Sequence, residues 1–312
     1  MLYFAPLQGY TDFIYRKVYH KNFSGIDAFF IPYLSLGKNK ILKKRIREVK
    51  PENNTGIRVV PQILINSDQE AEELLEILKD CGYIEVNINM GCPYPMVTRT
   101  GRGSGLLPFP GKTREIMEKV FSDHSFSVSV KLRSGLVSED EVIAMTETLN
   151  CFPVKEIIYH PRLASQLFQG NVNDDLFKKV AGVSQIPVCY NGNLFSKSDY
   201  ERRKELFPGV QNWMLGRGIL MNPLLPGEIN GTAYTAGERN QKLELFHAQL
   251  LEEYSAYLQG QGHLLMKMKL FWEYFSHSFP RQEKTWKIIR KCNRLDDYLT
   301  VTGKIFNMAE TD

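Results

Sequence analysis

The chain has 312 residues and a formal charge of +4 at pH 7, with 43% hydrophobic and 24% charged residues. This length and composition suit a soluble globular protein with one large and one small domain, and they exclude collagen-like, coiled-coil and disordered chains. No basic N-terminal segment with an apolar run and no stretch of about 18 apolar residues occurs, so neither a signal peptide nor a membrane-spanning helix is expected. The five scattered cysteines form no Cys-x-x-Cys pair. They favour a cytoplasmic protein without disulfides or structural zinc.

Short apolar runs alternate with amphipathic segments along the first two thirds of the chain. The runs predict strands at 2–5, 28–31, 59–65, 84–88, 128–132, 156–159, 187–190 and 212–215. Ser67 and Ser138 are typical N-cap residues, and Pro110 is typical of a helix start, so helices are expected after each of them. Eight strands with helical crossovers predict a (β/α)₈ TIM barrel. A doubly wound open sheet is the alternative, but its usual glycine-rich turn after the first strand is reduced to Gly9 alone.

The chain changes character after residue 230. Gly231, Thr232, Ala233 and Gly237 are typical of a linker, and no strand-like run follows them. Residues 242–258, 264–276 and 281–298 are predicted to form three helices. We therefore expect a barrel domain over 1–235 and a small all-α domain over 236–312.

Polar residues at the carboxyl ends of the predicted strands are the candidates for a site, because a barrel builds its active site there. The second strand offers no such residue. The groups at the other strand ends are Gln8, Gln62, Asn89, Cys92, Lys131, Arg133, His160, Arg162, Asn191, Asn193 and Arg217.

Glycine turns follow the last two strands, at Asn191-Gly192-Asn193 and Gly216-Arg217-Gly218. Barrels bind phosphate through backbone N–H groups at this position, and Arg217 adds a charge. The alternative is that these glycines only make tight turns.

Three polar residues in apolar surroundings have two interpretations each. A buried ammonium is costly, so Lys131 needs an anion, either a ligand such as a reduced flavin or a barrel carboxylate. His160 is a ligand contact or a hydrogen-bonded structural residue. Gln62 binds the edge of a ligand or satisfies barrel backbone groups.

Cys92 lies in a long loop that also contains three glycines and two arginines. Long loops in compact domains often bind ligands. The residues alone leave Cys92 as an acid, a nucleophile or an inert small side chain. No catalytic triad and no set of metal ligands is visible.

These residues belong to an ordered series of motifs. The segments are Ala5-Pro6-Leu7-Gln8-Gly9-Tyr10-Thr11-Asp12, Asn89-Met90-Gly91-Cys92-Pro93, Gly103-Ser104-Gly105-Leu106-Leu107, Val130-Lys131-Leu132-Arg133-Ser134-Gly135, His160-Pro161-Arg162, Ile186-Pro187-Val188-Cys189-Tyr190-Asn191-Gly192-Asn193 and Met214-Leu215-Gly216-Arg217-Gly218. Over nearly its whole length the chain resembles the tRNA-dihydrouridine synthases. The Asn-Met-Gly-Cys-Pro segment is the most specific of the motifs.

The resemblance implies a barrel that binds FMN, NADPH as the reductant of the flavin, and a helical domain that grips tRNA. It also implies hydride addition to C6 of a flipped-out D-loop uridine, with Cys92 as the acid that protonates C5. The implied cofactor residues are Pro6, Leu7, Gln8, Gln62, Lys131, His160, Asn191, Gly192, Asn193, Gly216 and Arg217. Asn89 and Arg162 are expected to contact the substrate. We expect a monomer without metal.

Some positions depart from the family pattern. Pro161, Leu163 and Phe168 replace residues of the usual sixth-strand motif, Asn193 replaces an acid, and Leu7 replaces a methionine. These changes leave the flavin residues and Cys92 in place, and they concern contacts with the substrate.

Two basic clusters are candidates for phosphate contacts with RNA. The first is Lys38, Lys40, Lys43, Lys44, Arg45, Arg47 and Lys50. The second is Lys284, Lys287, Lys291 and Arg294, whose spacing predicts one face of a single helix. A solvated surface without a partner is the alternative, but two concentrated patches favour RNA.

The resemblance favours tRNA dihydrouridine synthesis over two other functions. One is an FMN barrel acting on a free pyrimidine, such as a dihydroorotate dehydrogenase relative, which needs no basic helical domain. The other is a tRNA-binding protein without catalysis, which needs neither Cys92 nor Lys131.

Overall fold

The computed structural model describes residues 1–37, 43–122 and 125–309. Across these ranges the elements follow the alternation of strands and helices expected of a barrel. The strands are β1 (Leu2–Phe4), β2 (Ala28–Phe30), β3 (Val59–Val60), β4 (Gln62–Ile63), β5 (Glu85–Met90), β6 (Ser127–Gly135), β7 (Glu156–Leu163), β8 (Val188–Tyr190) and β9 (Trp213–Leu215). The helices are α1 (Phe13–Asn22), α2 (Lys43–Ile46), α3 (Asp68–Asp80), α4 (Pro95–Thr98), α5 (Pro110–Ser122), α6 (Asp140–Leu149), α7 (Asp174–Val183), α8 (Lys197–Leu206), α9 (Arg217–Met221), α10 (Leu225–Ile229), α11 (Ala236–Tyr257), α12 (Gln261–Phe275), α13 (Gln282–Lys291) and α14 (Leu295–Ala309). Short 3₁₀ helices occur at Arg47–Val49, Pro51–Asn53, Gly103–Leu106, Ala164–Gln166 and Ser276–Ser278.

All pairs of neighbouring strands are parallel, in the order β3-β2-β1-β9-β8-β7-β6-β5-β4. The two ends of this sheet, β3 and β4, are separated in the chain only by Pro61. Proline has no N–H to donate to a neighbouring strand, so the predicted third strand is divided there. The sheet closes at this point, and its nine strands occupy eight barrel positions. The TIM barrel is therefore confirmed.

Alternate residues of each strand pack on opposite sides of the barrel wall. Leu2 and Phe4 face the large core between strands and helices, whereas Tyr3 faces a separate inner cluster. That inner cluster consists of Tyr3, Ala5, Ala28, Phe30, Val60, Ile158, Cys189 and Met214. It fills the barrel with apolar side chains, and Ala5 and Met214 also line the cavity at its open end.

The helical part of the chain contains four helices, α11 to α14, within the described residues. The prediction of one helix over 281–298 is wrong. The backbone becomes extended at Cys292, with φ −63° and ψ 126°, and Lys269 Nζ donates to the Cys292 carbonyl at 2.8 Å. This contact fixes the extended backbone at Cys292. Helix α13 therefore ends at Lys291, and a new helix, α14, begins at Leu295.

The helical part packs on α1 through aromatic rings and one polar cluster. Phe246 of α11 lies 5.6 Å from Tyr15, measured between ring centroids. Asp12, the N-cap of α1, accepts a hydrogen bond from the Tyr254 hydroxyl at 2.7 Å and pairs with Lys267 at 2.7 Å. No helix within the described ranges has both the length and the apolar character needed to cross a membrane.

Candidate active site

A cavity of about 430 Å³ opens at the carboxyl ends of the strands. Residues predicted from the sequence form much of its wall. These residues are Pro6, Leu7, Gln8, Gln62, Asn89, Cys92, Lys131, His160, Asn191, Gly192, Asn193, Gly216 and Arg217. The fold therefore brings every predicted cofactor residue to one place, although their roles stay predictions.

A chain of side-chain amides crosses the floor of the cavity. Gln62 Nε2 donates to Asn87 Oδ1 at 2.7 Å, and Asn89 Nδ2 donates to Gln62 Oε1 at 2.7 Å. The Asn89 oxygen accepts from the backbone N–H groups of Gly91, at 3.0 Å, and Cys92, at 2.8 Å. Asn89 therefore fixes the turn that carries Cys92. Its predicted contact with the substrate stays a prediction.

The loop after β5 is folded tightly around Cys92. The Cys92 carbonyl accepts from Ser104 N at 3.1 Å and from Ser104 Oγ at 2.9 Å. Gly103 has φ +59°, and a Cβ there would lie 2.7 Å from the Cys92 oxygen. Only glycine combines this backbone conformation with so close an approach. The cysteine is thus held in a defined position against the cavity.

The Cys92 thiol keeps its proton at neutral pH. The side chain is buried, and burial raises the pKa of the thiol above its ordinary value. The backbone N–H of Tyr94, the hydroxyl of Tyr33 and the charges of Arg133 and Lys131 lower this pKa, but by less than burial raises it. A protonated thiol facing a cavity can act as a general acid.

The neighbouring strand, β6, brings positive charge to the cavity. Burial is the main cause that lowers the pKa of Lys131 to about 7, and the charge of Arg133 is the second. Lys131 is one of the residues that line the cavity. Burial also lowers the pKa of Arg133 to about 10. Among the described residues that line the cavity, none is an aspartate or a glutamate. The carboxylate partner considered for Lys131 is therefore not among them, and an anionic ligand fits the site.

His160 is buried beside these cations. Burial, together with the charges of Arg133 and Lys131, lowers the pKa of His160 well below its ordinary value. The imidazole is therefore neutral at pH 7 and can exchange neutral hydrogen bonds with a ligand.

The two predicted glycine turns meet at the cavity. A Cβ on Gly218 would lie 2.0 Å from the Leu194 carbonyl oxygen, so the turns after β8 and β9 approach as closely as glycine allows. The Asn193 side-chain oxygen accepts from Arg162 at 3.4 Å and from Arg217 at 3.3 Å. Arg162 is buried behind Asn193 and is not one of the cavity-lining residues.

Three of the departures from the family pattern, Leu163, Phe168 and Asn193, contact Arg133 or Arg217. The Phe168 ring lies between the guanidinium groups of Arg133, at 5.1 Å, and Arg217, at 4.9 Å. Arg133 also donates to the carbonyls of Leu163, at 3.0 Å, and Leu167, at 2.6 Å. The segment after β7 is thus held by cation–π contacts and backbone hydrogen bonds.

Some cavity residues were not expected from the sequence. The second strand, which offered no polar group, supplies Tyr33, because the chain stays extended beyond β2 as far as the bridge between Leu34 and Ile63. Tyr274 enters the wall from α12, far away in the chain. Extended backbone around Pro32 could have pointed to Tyr33, whereas no local signal identifies Tyr274.

The two basic clusters differ in the structure. Lys284, Lys287 and Lys291 are exposed on α13, opposite the buried Ile289, but Arg294 lies between α13 and α14. The prediction that Arg294 shares their helical face is wrong, because the helix ends at Lys291.

In the first cluster, Lys38 and Lys40 and the side chains of Lys43 and Lys44 lie outside the described residues. Its other members have protein contacts. Arg45 covers the ring of Tyr33, Arg47 covers that of Tyr257, and Lys50 pairs with Glu52. Within the described ranges, no group of three or more His, Cys, Asp or Glu side chains could hold a metal ion.

Known proteins are similar to this chain in sequence or in fold. The chain is similar to tRNA-dihydrouridine synthase B of Yersinia pestis, with 29% identity, over 88% of this chain and 86% of that protein. The corresponding protein of Escherichia coli (strain K12) is 26% identical over 88% of this chain and 86% of that protein.

Two solved structures show the likeness of the fold. Morphinone reductase has a TM-score of 0.50 and 12% identity, over 75% of this chain and 86% of that one. A variant of NCR from Zymomonas mobilis has a TM-score of 0.51 and 14% identity, over 73% of this chain and 85% of that one. The profile of the family described as dihydrouridine synthase matches residues 3–304, almost the whole chain. The chain therefore belongs to the dihydrouridine synthase family.

Proposed function

We propose that this dihydrouridine synthase reduces a D-loop uridine of tRNA, with FMN as its flavin, NADPH as the reductant and Cys92 as the acid. Family membership confirms the expected enzyme class, an oxidoreductase that forms dihydrouridine. The observation that carries the proposal is that one cavity is lined by Cys92, Lys131 and both glycine turns.

The residues present fit FMN. Lys131 lacks a carboxylate partner among the described cavity residues, and it would hold the electron-rich pyrimidine edge of the flavin. Gln62 and His160 would hydrogen-bond the ring, while Pro6, Leu7 and Gln8 would lie along it. Arg217 and the turns at 191–193 and 216–218 would hold the phosphate.

Reduced FMN, when bound, supplies the hydride that adds to C6 of the uracil ring. Negative charge then builds on C5 and on the C4 carbonyl. Cys92 donates its proton to C5: its S–H bond breaks, a C5–H bond forms, and the negative charge moves to sulfur. Asn89 keeps the cysteine in place through the backbone of the turn, and we propose that its amide and Arg162 also act on the substrate side.

The proposal is tested by anaerobic mixing of the reduced, FMN-loaded protein with unmodified tRNA. The flavin is expected to be reoxidised by tRNA and not by free uracil or orotate, because binding of the RNA by the helical part is what places the target base in the cavity. Absorbance near the flavin maximum follows the reaction, and mapping of dihydrouridine in the product identifies the base. Reoxidation by orotate alone would instead support a free-pyrimidine enzyme, and a protein that binds tRNA without flavin would support the non-catalytic alternative.

We further propose that residues 1–235 form the catalytic domain and residues 236–312 the tRNA-binding domain. The Thr235 side chain caps α11 by accepting from Glu238 N at 3.2 Å, which is a natural start for the helical part. We also propose that the protein is a monomer in the cytoplasm. Its five cysteines are all described and all free, which suits a reducing compartment.

The exposed lysines of α13, assisted by Arg294 in the following turn, are proposed to contact tRNA phosphates. The double change Lys287→Glu and Lys291→Glu is expected to weaken tRNA binding and to lower the slope of log affinity against log salt by about two. FMN content stays unchanged because both lysines are exposed on α13 and neither is one of the cavity-lining residues. Filter binding of tRNA at several salt concentrations measures both quantities.

The matched control is Lys178→Glu with Lys179→Glu, an equal charge reversal on exposed positions of α7. If the two double variants bind tRNA equally well, α13 is only a solvated surface.

A further inference from the structure

Tyr33 occupies the place at the second strand end where the sequence offered no polar group. Its backbone continues the line of β2, because Ile31 N donates to Val60 O at 2.9 Å and Leu34 N donates to Gln62 O at 2.8 Å. Between these two anchors the tyrosine side chain reaches the cavity wall. The strand extension therefore fixes where the hydroxyl can lie.

The Tyr33 side chain lies beside Cys92: both residues line the cavity, and the Tyr33 hydroxyl is close enough to the sulfur to lower the pKa of the thiol. The two side chains also share an apolar cluster, in which Tyr33 packs against Cys92, Leu64 and Val97. A hydroxyl is both donor and acceptor, so it can donate to a thiolate as readily as it contacts a thiol. Its contact with sulfur is thus compatible with both protonation states of the cysteine.

A cation covers Tyr33 on its other side. The guanidinium carbon of Arg45 lies 5.2 Å from the centroid of the Tyr33 ring, and Nη1 donates to the Tyr33 carbonyl at 3.1 Å and to Ser35 Oγ at 3.2 Å. A positive charge near a phenol makes its O–H a stronger hydrogen-bond donor. Cys92, Tyr33 and Arg45 therefore form a connected series that leads out of the cavity.

We propose that Tyr33, supported by Arg45, is a positioning residue that orients the Cys92 thiol and stabilises the thiolate left after proton donation. The inference rests on the proposed acid role of Cys92. Tyr33 keeps its own proton throughout, and the sulfur regains one from solvent before the next turnover. The other charged groups near the sulfur, Lys131 and Arg133 of β6, are unchanged when the hydroxyl is removed.

The test is Tyr33→Phe in the FMN-loaded protein, with two measurements. The first is the pH dependence of Cys92 alkylation by iodoacetamide, followed by mass spectrometry. Loss of one hydrogen bond to a charged sulfur is expected to raise the thiol pKa by about one unit, so alkylation at pH 7 slows about tenfold. The second is single-turnover reoxidation of the reduced flavin by tRNA, which is expected to slow by up to about tenfold without a change in the tRNA concentration that gives the half-maximal rate.

Tyr83→Phe is the matched control. The Tyr83 hydroxyl donates to Val49 O at 2.8 Å, and Tyr83 is not one of the residues that line the cavity. This variant is expected to alter neither measurement. Should Tyr33→Phe fail to fold, Arg45→Gln keeps the hydroxyl and is expected to shift alkylation in the same direction by a smaller factor.

An unchanged alkylation profile in folded Tyr33→Phe overturns the inference, even if turnover falls, because the residue is then only structural. A Cys92→Ala protein that remains fully active instead overturns the acid role of Cys92. The two failures are distinguishable because alkylation requires no turnover.

Discussion

The Cys92→Ala variant is expected to lose about 10²- to 10⁴-fold in turnover on tRNA, the usual contribution of a general acid. It should still bind FMN and be reduced by NADPH, because the cations and the glycine turns of the cavity stay in place. Stopped-flow absorbance separates the two half-reactions: reduction of the flavin by NADPH, and its reoxidation by tRNA. Only the second is expected to slow.

Cys151→Ala is the matched control, since Cys151 is an exposed thiol outside the cavity lining. It should leave both half-reactions unchanged. If Cys92→Ala reoxidises as fast as the unaltered protein, another group donates the proton and Cys92 is a packing residue of its loop.

The Lys131→Met variant is expected to bind oxidised FMN about ten- to a hundredfold less tightly, because a hydrogen bond from a charged donor contributes about 1.5–3 kcal/mol. Fluorescence titration of flavin into the unloaded protein measures the affinity. Lys178→Met is the surface control, since Lys178 is exposed on α7, and it should bind FMN normally. Equal FMN affinity of Lys131→Met and the control would show that the ammonium does not pair with the flavin.

The same lysine should make flavin affinity depend on pH. The pKa of Lys131 is lowered to about 7 in the empty cavity, and an electron-rich partner would raise it again by favouring the charged form. Below pH 7 the ammonium is already charged, so binding takes up no proton there. Above pH 7 binding must add a proton to Lys131, so affinity falls as the pH rises. Lys131→Met should lack this part of the pH dependence, and the difference between the two proteins removes the contribution of the FMN phosphate.

The sequence predicts the barrel well because the predicted strands are short apolar runs and three of the helices have a recognisable start. Ser67 caps α3 by accepting from Glu70 N at 3.2 Å, as its position before an amphipathic run suggests. The cavity residues follow from the same logic, since parallel strands in a barrel bring their carboxyl ends together. The end of α13 at Cys292 was harder to predict, because a long-range contact from Lys269 sets this boundary.

What the sequence could not provide is contact between distant segments. Tyr33 has no motif around it, and its importance appears only when the chain beyond β2 carries it to Cys92. Phe168 shows as a departure from a family pattern, yet its contacts with Arg133 of β6 and with Arg217 after β9 depend on segments far apart in the chain. Such contacts are properties of the closed barrel and not of any one segment.

The contribution of Tyr274 means that the barrel and the helical part build the cavity together. Its ring lies 5.0 Å from that of Tyr10, and Tyr10 donates to Glu273 at 2.6 Å, so the loop after β1 and α12 build one stretch of wall together. Exchanging the helical part for that of a relative would therefore also replace part of the cavity wall. A chimera that keeps Tyr10 and Asp12 needs their partners on α12, Glu273 and Lys267, as well.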